Sequence, residues 1–259
     1  KSTGVRYQKG FGTVGSKKYY FDPSDGKAKT GWLTLDGKKY YFNDAGVMLA
    51  DTIAAIDGTT YRFDSNGVAT KTSSDNYTID GNYVKVYDAK NGKYYYMEKQ
   101  FIQHPGIADG TVSDLDLLAA VCDAEAGDQG VIGMEAVALC VLNCTIDEYK
   151  EFPSQIRYVV YQGKPTQYAV VTDGALLKRL NGQFEDRTNA YAAAKAAMEM
   201  FNDYVNRGTK RSLPGFTTKD FNYKFFMTPA AFKAQNLNFS KLEYEQYKGH
   251  VFFVDWISG

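Results

Sequence analysis

The chain has 259 residues, 44% of them hydrophobic and 23% charged, and it balances 30 Lys and Arg against 30 Asp and Glu. That composition excludes a disordered polymer and is long enough for a sizeable core divided over more than one unit. The even charge leaves no basic footprint for nucleic acid, and no apolar run approaches the ~18 residues that a membrane span needs.

The chain opens at Lys1 without a charged-then-apolar leader, and it opens inside a repeat. It is read as a trimmed or mature fragment, so the missing leader says little about localisation. Three early segments stack in the sequence: FGTVGSKKYYFDPSDGKAKT (11–30), WLTLDGKKYYFNDAGVMLA (32–50) and IAAIDGTTYRFDSNGVAT (53–70). Tyr19, Tyr40 and Tyr61 recur every 21 residues. Each segment has a turn (Gly15-Ser16, Asp36-Gly37, Asp57-Gly58), an aromatic strand and a second turn (Asp25-Gly26, Ala45-Gly46, Asn66-Gly67). Asp-Gly and Asn-Gly between β-prone runs predict hairpins. A lone hairpin is marginal in water, so such units must stack to bury their rings. IDGNYVKVYDAKNGKYYYM (79–97) is predicted as a fourth, degenerate hairpin or a linker strand.

The middle segment, GWLTLDGKKYYFNDAGVML, resembles the choline-binding or glucan-binding type of cell-wall-binding repeat. The resemblance implies a β-hairpin repeat solenoid that holds a wall ligand, choline or another wall polysaccharide, between its rings. Here Trp32, Tyr40, Tyr41 and Tyr61 match those rings. A quaternary ammonium does favour aromatic faces. Only the middle segment has the Trp, however. Phe11 and Ile53 stand in its place in the other two, and Arg62 replaces a tyrosine of the third. A complete cage is therefore not expected, and stacked hairpins acting as a spacer remain an equal alternative.

After about residue 105 the pattern turns helical. SDLDLLAAVCDAEAG, GMEAVALCVLNCTIDEY, PSQIRYVVYQ and NAYAAAKAAMEMFNDYV have helical periodicity. Ser113 suits an N-cap with Asp114 and Asp116 in the first turn, and Pro153 suits the first turn of the third helix. YKFFM and HVFFVDW read as short strands. The expected division is 1–98 for the repeats with their linker hairpin and 99–259 for a mainly helical domain with a small β element.

Cys122, Cys140 and Cys144 lie within 23 residues, odd in number and without CxxC spacing. They suggest neither a disulfide framework nor a zinc site, and read as small buried hydrophobes. His104 and His250 are 146 residues apart, a poor basis for a metal hydrolase. No metal or cofactor is implied.

Along the first helix Leu118, Val121, Cys122 and Glu125 fall at i, i+3, i+4 and i+7, so Glu125 continues the apolar stripe, while Asp116 and Asp123 lie on the other side, where solvent is expected. Gly127 then ends the helix. Burial and the negative end of the helix dipole both raise a carboxyl pKa, and a carboxyl that is neutral near pH 6–7 is what general acid catalysis needs. A frayed helix end that puts the side chain in water is the alternative.

The run AEAGDQGVIGMEAVALCVLN is similar to the cell-wall hydrolases of the spore-cortex-lytic (SleB/CwlJ) type, through Glu125-Ala126, Gly133, Ala136-Val137-Ala138 and Val141-Leu142-Asn143. FPSQIRYVVYQ (152–162) and KGHVFFVDW (248–256) resemble two later family motifs in the same order. Asp128-Gln129 and Cys144 depart from the pattern, as does the spacing of Gln162 and Gln167. The resemblance implies a lysozyme-like or lytic-transglycosylase-like α+β domain that cleaves the peptidoglycan glycan strand between N-acetylmuramic acid and N-acetylglucosamine, with Glu125 catalytic. Asn143, Tyr161, Gln162, Gln167, Tyr168 and His250 are the candidate substrate-binding residues; buried structural roles stay open for each. Two-carboxylate hydrolysis would need a second acid. Asp123 is on the wrong face, Asp128 is in the loop, and Glu135 is on an otherwise apolar helix, which leaves a one-carboxylate mechanism as the expectation. A muramidase, an amidase and a non-catalytic wall-binding protein are the alternatives. The expected location is secreted, at a bacterial cell surface or on a spore.

Overall fold

A computed structural model of the protein describes residues 9–50, 52–56, 59–71 and 77–256. The predicted Asp57-Gly58 turn lies outside them. The chain divides into two compact units, Lys1–Asp75 and Asn76–Gly259.

The first unit is built of antiparallel hairpins. β1 (Gly10–Val14) pairs with β2 (Lys17–Phe21), β3 (Gly31–Leu35) with β4 (Lys38–Phe42), and β5 (Thr52–Ile56) with β6 (Thr59–Phe63), to which β7 (Ala69–Lys71) adds a third strand. The turn after each second strand shows why the sequence repeats. Asp22, Asn43 and Asp64 begin these turns, and each side-chain oxygen accepts the backbone N–H two residues on: Ser24 at 2.8 Å, Ala45 at 3.1 Å and Asn66 at 2.9 Å. Short Asx side chains make this bond without leaving the turn. Gly26, Gly46 and Gly67 then return their N–H to the same three residues, with φ between 73° and 80°. At Gly67 a Cβ would also collide with Met48. Tyr20, Phe42 and Met48 form a small core flanked by Leu33, Leu35 and Tyr40.

The second unit starts with a three-stranded antiparallel sheet: β8 (Tyr77–Asp80), β9 (Tyr83–Asp88) and β10 (Lys93–Glu98), in the order β10-β9-β8. The division into compact units falls ahead of this sheet, after Asp75, where the sequence reading places a boundary at residue 98. The sheet belongs with the rest of this unit because it is bonded to the 150–154 segment between two of its helices. Tyr95 hydroxyl meets the carbonyls of Lys150 and Phe152 at 2.8 and 2.9 Å, Asp88 accepts both the N–H and the hydroxyl of Ser154, and Asn91 Nδ2 donates to Phe152 O at 2.9 Å. The alternation of buried Val84, Val86 and Asp88 with outward Tyr83, Lys85 and Tyr87 follows the strand period of two.

The helices follow: α1 (Gln100–Gln103), α2 (Asp114–Ala126), α3 (Gly130–Cys144), α4 (Ile156–Val160), α5 (Ala175–Leu180) and α6 (Arg187–Arg207). The predicted cap of α2 is present, with Ser113 Oγ accepting Asp116 N–H at 3.1 Å. Pro153 precedes α4 instead of opening it, and Gln155 is its N-cap residue. α3 is buried over nearly its whole length from Gly133 to Cys144, packed against α2 and α6, whose Ala190, Ala193, Ala194 and Ala197 are fully buried and permit a close approach. A helix surrounded in this way has no polar face to keep. β11 (Phe225–Met227), α7 (Pro229–Lys233), β12 (Tyr244–Tyr247) and β13 (His250–Phe253) complete the unit, as a sheet in the order β11-β13-β12. All three cysteines are free and buried.

Candidate active site

Glu125 lies in the last turn of α2, partly buried. Gly127–Gln129 continues it as a 3-10 turn, and Gly130, at φ 74°, swings the chain into α3. Gly127 keeps right-handed helical angles, so the break comes at Gly130, later than Gly127 predicts. Burial, and next the charge of Asp173, push the Glu125 pKa up to about 7, while the backbone N–H of Val170 works against them by hydrogen-bonding the carboxylate. At neutral pH this side chain is divided between acid and carboxylate.

The segment facing Glu125 is a short 3-10 helix, Ala169–Val171, closed by Val171 N–H to Tyr168 O at 3.2 Å and Asp173 N–H to Ala169 O at 3.0 Å. Tyr168 precedes it and is buried, with its hydroxyl within electrostatic reach of Glu125. Its ring lies 5.9 Å from Phe226, which lies 5.1 Å from His250. His250 is buried, its Nδ1 has no hydrogen-bond partner, and burial lowers its pKa against an opposing pull from Asp128. Tyr168, Phe226 and His250 thus form one continuous run of rings. Tyr168 is close to Glu125 and His250 is close to Asp128.

Other candidates from the sequence fall elsewhere. Asn143 is not free for substrate. It is buried on α3, its Nδ2 donates to Phe221 O and Tyr223 O at 3.0 and 2.8 Å, and Arg211 donates to its Oδ1 at 2.5 Å. Tyr161 is fully buried and shares a 2.7 Å hydrogen bond with His104 Nδ1. His104 is therefore part of the core, and burial lowers its pKa to about 4. Gln162 is bridged through its backbone to Met97, and its Nε2 reaches Glu151 O at 3.4 Å. Gln167 is partly buried and donates its N–H to Gln162 O at 3.1 Å.

The acids sort in the same way. Asp123 does not face solvent. It is 1% exposed and accepts Arg179 Nε at 2.8 Å and the backbone N–H groups of Glu185 and Asp186 at 2.9 and 2.7 Å. Glu135 is buried, which raises its pKa. Asp128 is exposed and accepts Gln129 Nε2 at 2.6 Å. Gln129, a departure from the family pattern, has a structural use: its Oε1 accepts Gly249 N–H at 2.7 Å and its carbonyl accepts Lys248 Nζ at 2.5 Å, tying the turn after Glu125 to the β12–β13 turn. The acid that sequence reading missed is Asp173. Its Oδ1 caps α5 through Ala175 N–H at 2.8 Å. Nothing in a surface loop 48 residues after Glu125 marks it in advance. Phe226 was missed in the same way.

In the first unit the four predicted ligand rings divide between two equivalent clusters. Phe11 meets Tyr20 and Tyr40 at 5.2 and 5.1 Å, and Trp32 meets Tyr41 and Tyr61 at 5.2 and 4.6 Å. In both, a first-strand ring packs on its own hairpin and on the next. Phe11 and Tyr40 also line a cavity of about 600 Å³ with Lys18, Met48 and Asn66.

Residues 128–253, within the second unit, match the family described as Cell Wall Hydrolase. Glu125 lies three residues ahead of the matched span. Residues 29–74 match a choline-binding repeat and residues 9–28 a putative cell wall binding repeat. The chain thus joins a cell-wall-hydrolase domain to choline-binding-type repeats, a pairing that fits a cell-wall-binding hydrolase at an extracellular or cell-surface location. No curated protein matches it. Among solved structures, the choline-binding domain of Spr1274 from Streptococcus pneumoniae is 24% identical, with a TM-score of 0.24, over 26% of this chain and 100% of that one. Choline-binding protein F of Streptococcus pneumoniae is 26% identical at a TM-score of 0.23, over 35% and 32% of the two chains. The multimodular pneumococcal cell wall endolysin of phage Cp-1 is 22% identical at 0.24, over 36% and 26%. The match spans less than a third of the last two proteins. Among the described residues no helix is long and apolar enough to cross a membrane, and no group of three or more His, Cys, Asp or Glu is placed to hold a metal ion.

Proposed function

We propose that the protein cleaves peptidoglycan glycan strands as a lytic transglycosylase, with Glu125 as acid and then base, in a lysozyme-like domain tethered to the wall by a solenoid of N-terminal repeats. The observation that carries this reading is the Glu125 carboxyl itself, withdrawn from water beside Tyr168 and Val170 with a pKa of about 7. In its neutral form it protonates the glycosidic oxygen as the bond to C1 breaks. The carboxylate left behind, stabilised by Val170 N–H, then takes the proton of the muramoyl C6 hydroxyl as that oxygen attacks C1. The product has a 1,6-anhydro end and Glu125 is protonated again. Of the rings Tyr168, Phe226 and His250, the half-buried Phe226 is the one with apolar surface for the face of a sugar ring, and the other two back it. The tether raises the local concentration of an insoluble substrate. The wall ligand of the repeats is an aminated or sugar group received by the Trp32–Tyr41–Tyr61 cluster, and retention on a choline-type column tests it.

Asp173 favours a second reading. A carboxylate next to the acid can activate water or stabilise positive charge at C1, which gives ordinary hydrolysis. Mass spectrometry of muropeptides released by the wild type and by Glu125→Gln separates the cases. Anhydro ends lost in the variant support the transglycosylase, reducing ends support the muramidase, and free stem peptides or no release by either protein overturn both.

A further inference from the structure

We propose that Tyr83 and Tyr96 form a cation site that the chain fills with its own Lys164, and that this clamp positions the segment facing Glu125. The positioning role rests on the proposed catalytic role of Glu125; the clamp itself does not.

Tyr83 and Tyr96 stand on the outward face of the β9–β10 pair, ring centroids 6.4 Å apart and planes at 79°. Lys164 Nζ sits 3.9 Å from the Tyr96 centroid and 4.7 Å from that of Tyr83. An ammonium is drawn to the negative faces of such rings. The backbone is shaped to deliver it. Lys164 adopts φ 57°, a left-handed conformation that a lysine holds only when its surroundings impose it. The preceding Gly163 lies against Tyr83, where a Cβ would come within 2.7 Å of the ring. On either side the segment is joined to β10: Glu98 N–H to Tyr161 O at 2.7 Å, Gly163 N–H to Tyr96 O at 2.8 Å, and Thr166 hydroxyl to Glu98 Oε1 at 2.6 Å. Four residues after Lys164 comes Tyr168, and then the Ala169–Val171 turn whose Val170 N–H meets Glu125. The exposed tip of this segment is therefore tethered by the cation, and its far end forms one side of the candidate site. The hairpin of 79–97, with a repeat-like sequence, thus holds a cation from its own chain.

The test uses the full chain with Lys164→Met, Lys164→Arg, Tyr96→Leu and Tyr96→Phe. Amide hydrogen exchange over 162–173 reads the clamp, and kcat and KM on peptidoglycan read positioning. Lys164→Met and Tyr96→Leu should speed exchange there and lower kcat about two- to fivefold, the span expected for one exposed cation–π contact, with KM little changed. Lys164→Arg and Tyr96→Phe, which keep the cation and the ring, should restore both. Unchanged exchange in Lys164→Met, or equal damage from Met and Arg, overturns the clamp. Faster exchange with unchanged kcat overturns the positioning role. If the wild type releases no muropeptides, the catalytic reading fails while the exchange measurements still decide the clamp.

Discussion

Asp173 places its charge close enough to Glu125 to raise that carboxyl's pKa, although 48 residues and two helices separate them in the chain. The Ala169–Val171 turn produces the encounter by bringing one favourable N–H and one unfavourable charge to the same side chain.

The pH dependence of cleavage follows from it. Activity that needs the neutral acid should fall on an alkaline limb near pH 7, where Glu125 loses its proton. Replacing Asp173 with Asn removes the second-largest cause of the raised pKa, so the limb should move to lower pH. A pH–rate profile of the two proteins on peptidoglycan checks both the position and the direction.

Glu125 should also reduce stability at high pH. Its pKa rises from 4.5 to about 7 on folding, so the folded state holds the proton more tightly. Stability from this group is full below pH 4.5 and is lost as pH rises through 7. Glu125→Gln cannot ionise, so its melting temperature should exceed that of the wild type at pH 8 and approach it near pH 5.

Asp123 should behave as a structural acid. Replacement with Ala leaves Arg179, whose side chain is 9% exposed, without its main partner, and frees the backbone N–H groups of Glu185 and Asp186. Removing one member of a buried pair costs roughly 3–5 kcal/mol. Denaturant titration should show that loss, with no activity restored by raising substrate concentration.

Asn143→Leu separates structure from substrate binding in another way. It takes the acceptor from one Arg211 nitrogen, while Asp220 keeps the rest of that guanidinium, and it strands the carbonyls of Phe221 and Tyr223, which predicts a loss of roughly 2–3 kcal/mol in unfolding free energy. KM at a temperature where the variant is folded should stay near the wild-type value. A large rise in KM would return Asn143 to the substrate.

Much of this protein follows from local rules that its residues obey alone. The 21-residue spacing of Asp22, Asn43 and Asp64 with their glycines sets the turns of the first unit, because an Asx side chain bonds its own neighbours wherever it stands. The periodic stripe of α2 and the cap at Ser113 located Glu125 for the same reason. Position on a helix face, however, did not say what covers that face. Asp123 falls on the side expected to meet solvent, yet Arg179 and the chain at 185–186 enclose it. Asn143 reads as a polar group available to a sugar, yet the 221–223 segment takes its amide nitrogen and Arg211 takes its oxygen. Tyr83 and Tyr96 read as one more repeat hairpin, and Lys164, 68 residues beyond Tyr96, gives them their use. Turns and helices are set by bonds between near neighbours, which the order of residues fixes. Which charge stands beside Glu125 depends on loops closing over long separations, and only the packed chain decides that.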